Sequence, residues 1–294
     1  MEDDNPKDTI RGWWASNPMT YGITHGGTEY KSGHEKSTSY ELGTREFFET
    51  ADQRFYGWNT PLHTPQDKFG NLFDYRQFQG KQVLELGCGM GCMAMNWAKK
   101  GADVTAVDLN PVAVAQTRRR FEIYGLTGNI LEMDAENLNF QEGSFDFAYS
   151  WGVLHHSPNL KNALDEIFRV LKPGGATGVM LYNRDSFLYR YTIRTLEGYL
   201  HMENEFLNPL ELASRYSDGG REEGNPYTWP VTKEEIGDLF NKFKEIRIKV
   251  LGTDIEYVLD LALPRLGSWI FPRKLSRALG RRWGWSLWIT AKKA

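Results

Sequence analysis

The stretch Gln82-Val-Leu-Glu-Leu-Gly-Cys-Gly-Met-Gly91 constrains this chain more than any other. Residues 83–86 are a short apolar run with the character of a strand buried on both faces. The run breaks into Gly87-x-Gly89-x-Gly91, and the residues that follow, 92–98, read as a helix. A strand that feeds a glycine-rich turn and then a helix N-terminus is a nucleotide-binding device. Without Cβ atoms the backbone turns tightly and lets a ligand approach, and the helix end offers unpaired N–H groups.

A second apolar run, 104–107, closes on Asp108, 21 residues after Gly87. An acidic residue there is placed to accept ribose hydroxyls in a βαβ unit. The spacing is G-x-G-x-G, unlike the G-x-G-x-x-G of dinucleotide binders, and Glu85 stands two residues before the first glycine.

With this E-x-G-x-G-x-G pattern the chain resembles the class I S-adenosylmethionine-dependent methyltransferases. Further likenesses follow in register. They are Met133-Asp134-Ala135, the fourth-strand motif Phe145 to Pro158, and Leu171-Lys-Pro-Gly-Gly175 before the fifth strand. The resemblance covers roughly residues 80–183. It implies an α/β, Rossmann-like, doubly wound sheet of seven strands, mostly parallel with an antiparallel last strand. The expected organisation is an N-terminal lid segment at 1–79 and an S-adenosylmethionine-binding core at 80–183. A substrate-covering insertion at 184–230 follows, and 231–294 completes the sheet with a basic apolar insertion.

The resemblance also implies site residues. Gly87, Cys88, Gly89 and Gly91 lie against the methionine portion of the cofactor, and Glu85 supports the loop and the cofactor's amino group. Asp108 accepts the ribose hydroxyls. Leu109 flanks adenine, Asp134 and Ala135 meet its edge, and Ser150 and Trp151 lie below the reactive methyl. For Asp134, the nearby Glu136 and Asp146 are competitors, and Ser150 has a packing role as its alternative.

His155 and His156 are candidate general bases, since an imidazole titrates near neutral pH. Lining the cofactor pocket or capping the next helix is the alternative. A pairing of His156 with Asp165 is too weak in sequence to count as a dyad. Tyr182, Arg184, Tyr189 and Arg190, where the fifth strand leaves the sheet, are candidate substrate contacts. Trp14 joins them if the N-terminal segment is a lid rather than a tail pinned by Trp13 and Trp14.

Along the rest of the chain, helices are expected at 40–56, 110–124, 186–200 and 233–243. The aromatics of 69–78 fit surface-helix packing as well as substrate binding. Arg118-Arg-Arg120 reads as a solvated helix end. Residues 202–229 read as loop, and 257–279 as a second insertion.

A net charge of −3 gives no field to recruit nucleic acid, and no basic stripe with interleaved aromatics marks a nucleic-acid face. Cys88 and Cys92 are the only cysteines and make no zinc site, so no metal is expected. No signal peptide or membrane-span pattern is present, and the expected location is cytoplasmic. From Leu261 onward there are eight Lys or Arg and no acid. Residues 261–283 therefore read either as a peripheral membrane or lipid contact or as an ordinary surface helix.

The expected activity is methyl transfer to a small-molecule acceptor. A lipid or prenyl-chain acceptor is the alternative, and a non-catalytic S-adenosylmethionine-binding protein is the reading from another class.

Overall fold

In the computed structural model, residues 6–19, 40–218, 224–252 and 273–294 are described. The strands are β1 (Gln82–Leu86), β2 (Asp103–Asp108), β3 (Asn129–Glu132), β4 (Phe145–Trp151), β5 (Leu171–Tyr182), β6 (Lys244–Leu251) and β7 (Ser286–Lys292). They form one seven-stranded sheet in the order β3-β2-β1-β4-β5-β7-β6. β1 pairs with β2 and β2 with β3 in parallel, while β7 runs antiparallel to both β5 and β6. This is the sheet expected from the sequence, with β7 as its antiparallel strand.

The helices are α1 (Pro6–Ser16), α2 (Arg45–Trp58), α3 (Cys92–Lys99), α4 (Pro111–Tyr124) and α5 (Leu160–Val170). They continue with a π-helix at Leu188–Leu200, then α6 (Pro209–Tyr216), α7 (Glu235–Leu239) and α8 (Arg273–Trp283). The chain divides into two compact units. One is Arg11–Tyr149 with Val170–Lys172; the other is Met1–Ile10, Ser150–Arg169 and Pro173–Ala294.

In the first unit, β1 is buried along its apolar run, and α3 packs Cys92, Met93, Ala94, Met95 and Trp97 inward. Asn110 caps α4 by accepting from the Val112 N–H, with Pro111 at the first helical position. The aromatics of 69–78 depart from the expected surface packing. Phe69, Phe73 and Tyr75 are buried, and Phe73 and Tyr75 pack edge-on against Trp97, which also meets Phe147 and Tyr149. Aromatic rings bury large apolar areas, so a cluster like this is core.

The arginine run also splits. Arg119 pairs with Glu122, and Arg118 donates to the Ile130 carbonyl. Arg120 is fully buried, with Nη1 donating to both oxygens of Asp52 at 2.7 and 2.9 Å and the guanidinium lying over the Phe48 ring. A buried guanidinium needs a paired carboxylate, and α2 supplies it.

In the second unit, α5 presents Ala163, Leu164 and Ile167 to the core, the face expected from their spacing. The helix ends at Val170, ahead of the Pro173-Gly-Gly stop. β5 then runs through that motif, because Gly174 N–H donates to the Lys293 carbonyl and Lys293 N–H to the Gly175 carbonyl. The expected loop at 202–229 contains α6. Asn208 and Glu211 form its capping box, with the Asn208 side chain accepting from the Leu210 and Glu211 N–H groups.

Thr232 and Glu235 exchange the expected capping bonds, yet α7 extends only from Glu235 to Leu239, short of the anticipated 233–243. Gly237 in its middle weakens it. The insertion at 257–279 and the basic stretch at 261–283 fall largely outside the described residues. No helix among the described residues is long and apolar enough to cross a membrane.

Candidate active site

In the first unit, the C-terminal ends of β1, β2 and β3 converge on the glycine loop. Gly89 and Gly91 both have positive φ, +52° and +73°. A Cβ on Gly91 would meet Thr117 Cγ2 at 2.7 Å, so this glycine is required for the loop to pack on α4. A Cβ on Gly89 would enter open space, which is what a cradle for a ligand requires. Gly89 N–H donates to Asp108 Oδ2 and Asn110 N–H to Asp108 Oδ1, both at 2.9 Å. The carboxylate at the end of β2 therefore ties the glycine loop to the start of α4. Each of its oxygens keeps lone-pair capacity beyond these bonds.

Glu85 is buried, 3% exposed, and its Oε2 accepts no hydrogen bond from the described residues. Burial pushes its carboxyl up to about 8; Asp108 adds to the shift, and Tyr149 and the Ala94 backbone oppose it. A buried carboxyl with a free oxygen is complementary to a cation entering the loop. Asp134 accepts from Glu136 N–H at 2.9 Å, so one of its oxygens shapes its own turn. Leu109 and Ala135 are half-buried beside Asp108 and Asp134 in the chain. Cys88 is buried, with Thr117 Oγ1 at 3.5 Å from its sulfur.

The end of α1 is fastened to this same region. Arg11 pairs with Glu132 at the end of β3, and the Asn110 side chain donates to the Trp14 carbonyl at 2.8 Å. Trp13 and Trp14 pack edge to face. Trp14, named from sequence as a substrate contact, is thus held beside the residue that follows Asp108 and Leu109.

The second unit holds the histidines. His156 Nδ1 lies 2.8 Å from the Tyr227 carbonyl and 3.0 Å from Thr228 Oγ1, and its Nε2 lies 3.1 Å from Asp218 Oδ2. Tyr182 OH donates to that same oxygen at 2.6 Å. His155 is 1% exposed, packs tilted on Tyr182 with ring centroids 3.7 Å apart, and makes no hydrogen bond to the described residues through either ring nitrogen. Burial lowers its pKa to about 4, so the ring is neutral at physiological pH.

A cleft of about 440 Å³ opens beside His155, walled by Leu160, Tyr227, Trp229 and Leu239, with Asn159 and Asn162 among its polar groups. A concave, mixed apolar and polar cleft of this size suits a small molecule.

Residues 83–175 match the model of a methyltransferase domain. The chain is 31% identical to a sterol 24-C-methyltransferase of Gibberella zeae over 162 residues, 49% of this chain and 43% of that enzyme. It is 26% identical to a ubiquinone biosynthesis O-methyltransferase of Pseudomonas paraeruginosa over 209 residues, 68% of this chain and 86% of that one. A solved S-adenosylmethionine-dependent methyltransferase from Methanosarcina mazei shares the fold, with a TM-score of 0.52 at 22% identity, covering 79% of this chain and 98% of that one. Residues 83–175 are thus a methyltransferase domain, in keeping with the class I S-adenosylmethionine-dependent methyltransferases that the sequence motifs resemble. The chain spans less than half of the length of the sterol enzyme it matches.

The remaining residues singled out in the sequence occupy varied positions. Ser150 is fully buried, and Trp151 packs on Trp288. Tyr182 joins the histidine cluster. Arg184 pairs with Glu235 and lies over the Trp229 ring. Arg190 pairs with Asp185 at the surface. Tyr189 packs with Ile193, Leu212 and Ala213 inside the 184–230 segment. Asp165, weighed against His156, is engaged by Lys161 and Lys242 instead. Sequence reasoning missed Asp218. Nothing in Ser217-Asp218-Gly219 distinguishes that acid from a turn residue, and its partner lies 62 positions away.

Proposed function

We propose that this methyltransferase binds S-adenosylmethionine in the cradle formed by Glu85, the 87–91 loop and Asp108, and passes its methyl group to a small-molecule acceptor. The observation that carries the reading is the buried Glu85 Oε2 without a partner among the described residues, next to a glycine loop whose open side a Cβ at Gly89 would fill. These residues fit the group. Glu85 receives the cofactor's ammonium, Asp108 accepts from the ribose hydroxyls, and Asp134 with Leu109 and Ala135 frames the adenine. When bound, the cofactor supplies an electrophilic methyl on a sulfonium, displaced in line by the acceptor atom. The chain's part is to orient the partners, exclude water and manage the acceptor's proton.

We assign the handling of the acceptor's proton to the candidate bases His155 and His156. The end of α1, with Trp14 tethered through Asn110, supports a lid role for the N-terminal segment. One relative is named for O-methylation in ubiquinone biosynthesis and another for methylation of a sterol. The acceptor is therefore sought first among hydroxylated aromatics and sterols.

Calorimetry with S-adenosylmethionine and S-adenosylhomocysteine, on protein checked by mass spectrometry for carried-over ligand, tests the cofactor reading. Micromolar binding of both is expected, followed by methyl transfer to a member of these acceptor pools. Absence of binding by folded, ligand-free protein would refute it.

A further inference from the structure

The cluster in the second unit contains a contradiction that only a positive charge resolves. His156 Nδ1 faces the Tyr227 carbonyl, which only accepts, and Thr228 Oγ1, whose own hydrogen is given to Asn225 Oδ1. Both contacts require the proton on Nδ1; the hydrogen-bond network assigns this tautomer. In the neutral ring, Nε2 then carries a lone pair, and it points at the Asp218 carboxylate 3.1 Å away. Lone pair against carboxylate is repulsive unless a proton or a metal ion lies between them.

His155 decides between the two. Its ring is 1% exposed and both nitrogens lack hydrogen bonds among the described residues, with Nε2 3.9 Å from the same Asp218 oxygen. A proton on His156 would satisfy one pair and leave His155 buried and unpaired, a cost that buried polar groups rarely bear. A metal ion satisfies all three side chains together.

The spacing agrees. Donors each about 2.1 Å from a tetrahedral ion stand roughly 3.4 Å apart. The two measured separations from Asp218 Oδ2, 3.1 and 3.9 Å, bracket that value, and the three ligand atoms lie within 4.8 Å of one another. The surroundings match what metal ligands receive. The far nitrogen of His156 donates to a backbone carbonyl, and Tyr182 OH orients the carboxylate.

We propose that His155, His156 and Asp218 form a binding site for a divalent first-row transition-metal cation, with Tyr182 and Tyr227 as its supporting groups. Two imidazoles and one carboxylate select zinc, iron or cobalt over magnesium or calcium, which prefer all-oxygen sites. Three protein ligands leave a coordination position for water or for a ligand from the cleft that His155 lines. The site stands whether or not the methyl-transfer reading does.

The test is titration of chelator-treated, untagged full-length protein with Zn2+ by calorimetry, in the absence of S-adenosylmethionine. One zinc per chain is expected. His155→Ala and Asp218→Asn should each weaken it about 100-fold, and Tyr182→Phe about tenfold, the size of a supporting-group effect. Substitution with Co2+ provides a readout on the unmutated chain, in case a variant fails to fold. Visible d–d bands without a thiolate charge-transfer band mark nitrogen and oxygen ligation away from Cys88 and Cys92. No stoichiometric zinc binding, undiminished binding in both folded ligand variants, or a thiolate band would overturn the proposal. Failure of S-adenosylmethionine to bind would touch only the methyl-transfer reading.

Discussion

Replacing Glu85 by Gln should make the cofactor-free protein more stable and its cofactor binding weaker. Burial raises the Glu85 carboxyl from its ordinary 4.5 to about 8 in the folded chain. A carboxyl raised in this way favours folding fully below pH 4.5, and its contribution is lost as pH rises towards 8, because the folded state binds the proton more tightly. At pH 7 the loss spans about 2.5 pH units, or about 3 kcal/mol, and at pH 5 about 1 kcal/mol. Gln has nearly the same shape and no proton to lose. Relative to wild type, Glu85→Gln should therefore gain about 3 kcal/mol at pH 7, about 1 at pH 5 and nothing near pH 4.

Urea denaturation of both proteins at the three pH values, without cofactor, measures this directly. The same substitution should weaken S-adenosylmethionine at least tenfold, since the charge-assisted contact to its ammonium is lost. A stability difference that does not change with pH would refute the argument. It would mean that the carboxyl is not the titrating group or is not desolvated as its burial implies.

Asp108→Ala should weaken S-adenosylmethionine by about 100-fold, from loss of about 3 kcal/mol of bonds to the ribose hydroxyls. Because Asp108 also accepts from Gly89 and Asn110, hydrogen exchange at those two amides should rise in the same variant, while Asp108→Asn should fall between it and wild type. Arg120→Met should cost about 3–5 kcal/mol in urea unfolding, because it leaves the mostly buried Asp52 carboxylate unpaired. Asp52→Asn combined with Arg120→Met should recover most of that loss; equal destabilisation in single and double variants would count against the buried pair.

The part of the site legible in sequence is the part built from backbone. A loop that needs positive φ at Gly89 and Gly91 can be made only with glycine there, so the requirement is written in the residues themselves. Asp108 was readable for a similar reason: its distance from the loop is set by one helix and one strand. The seven-stranded, mostly parallel sheet was expected from the family resemblance those motifs carry, and its strand order came from the structure. The helix at Pro209–Tyr216 was also written in its Asn208-Pro209-x-Glu211 start, a capping signal obscured by the polar stretch around it.

Other features depend on what meets what across long stretches of chain. Phe69, Phe73 and Tyr75 have the same sequence character whether they cover a surface helix or fill a core around Trp97. Arg120 looks like its neighbours Arg118 and Arg119 until α2 brings Asp52 against it, 68 positions away in sequence. His155 and His156 were visible as adjacent imidazoles, but their chemistry was not. Local patterns determined individual strands and the glycine cradle, because backbone geometry is dictated within a few residues. Only the tertiary structure could decide which ionisable groups are buried together, because desolvation and pairing depend on atoms contributed by distant segments.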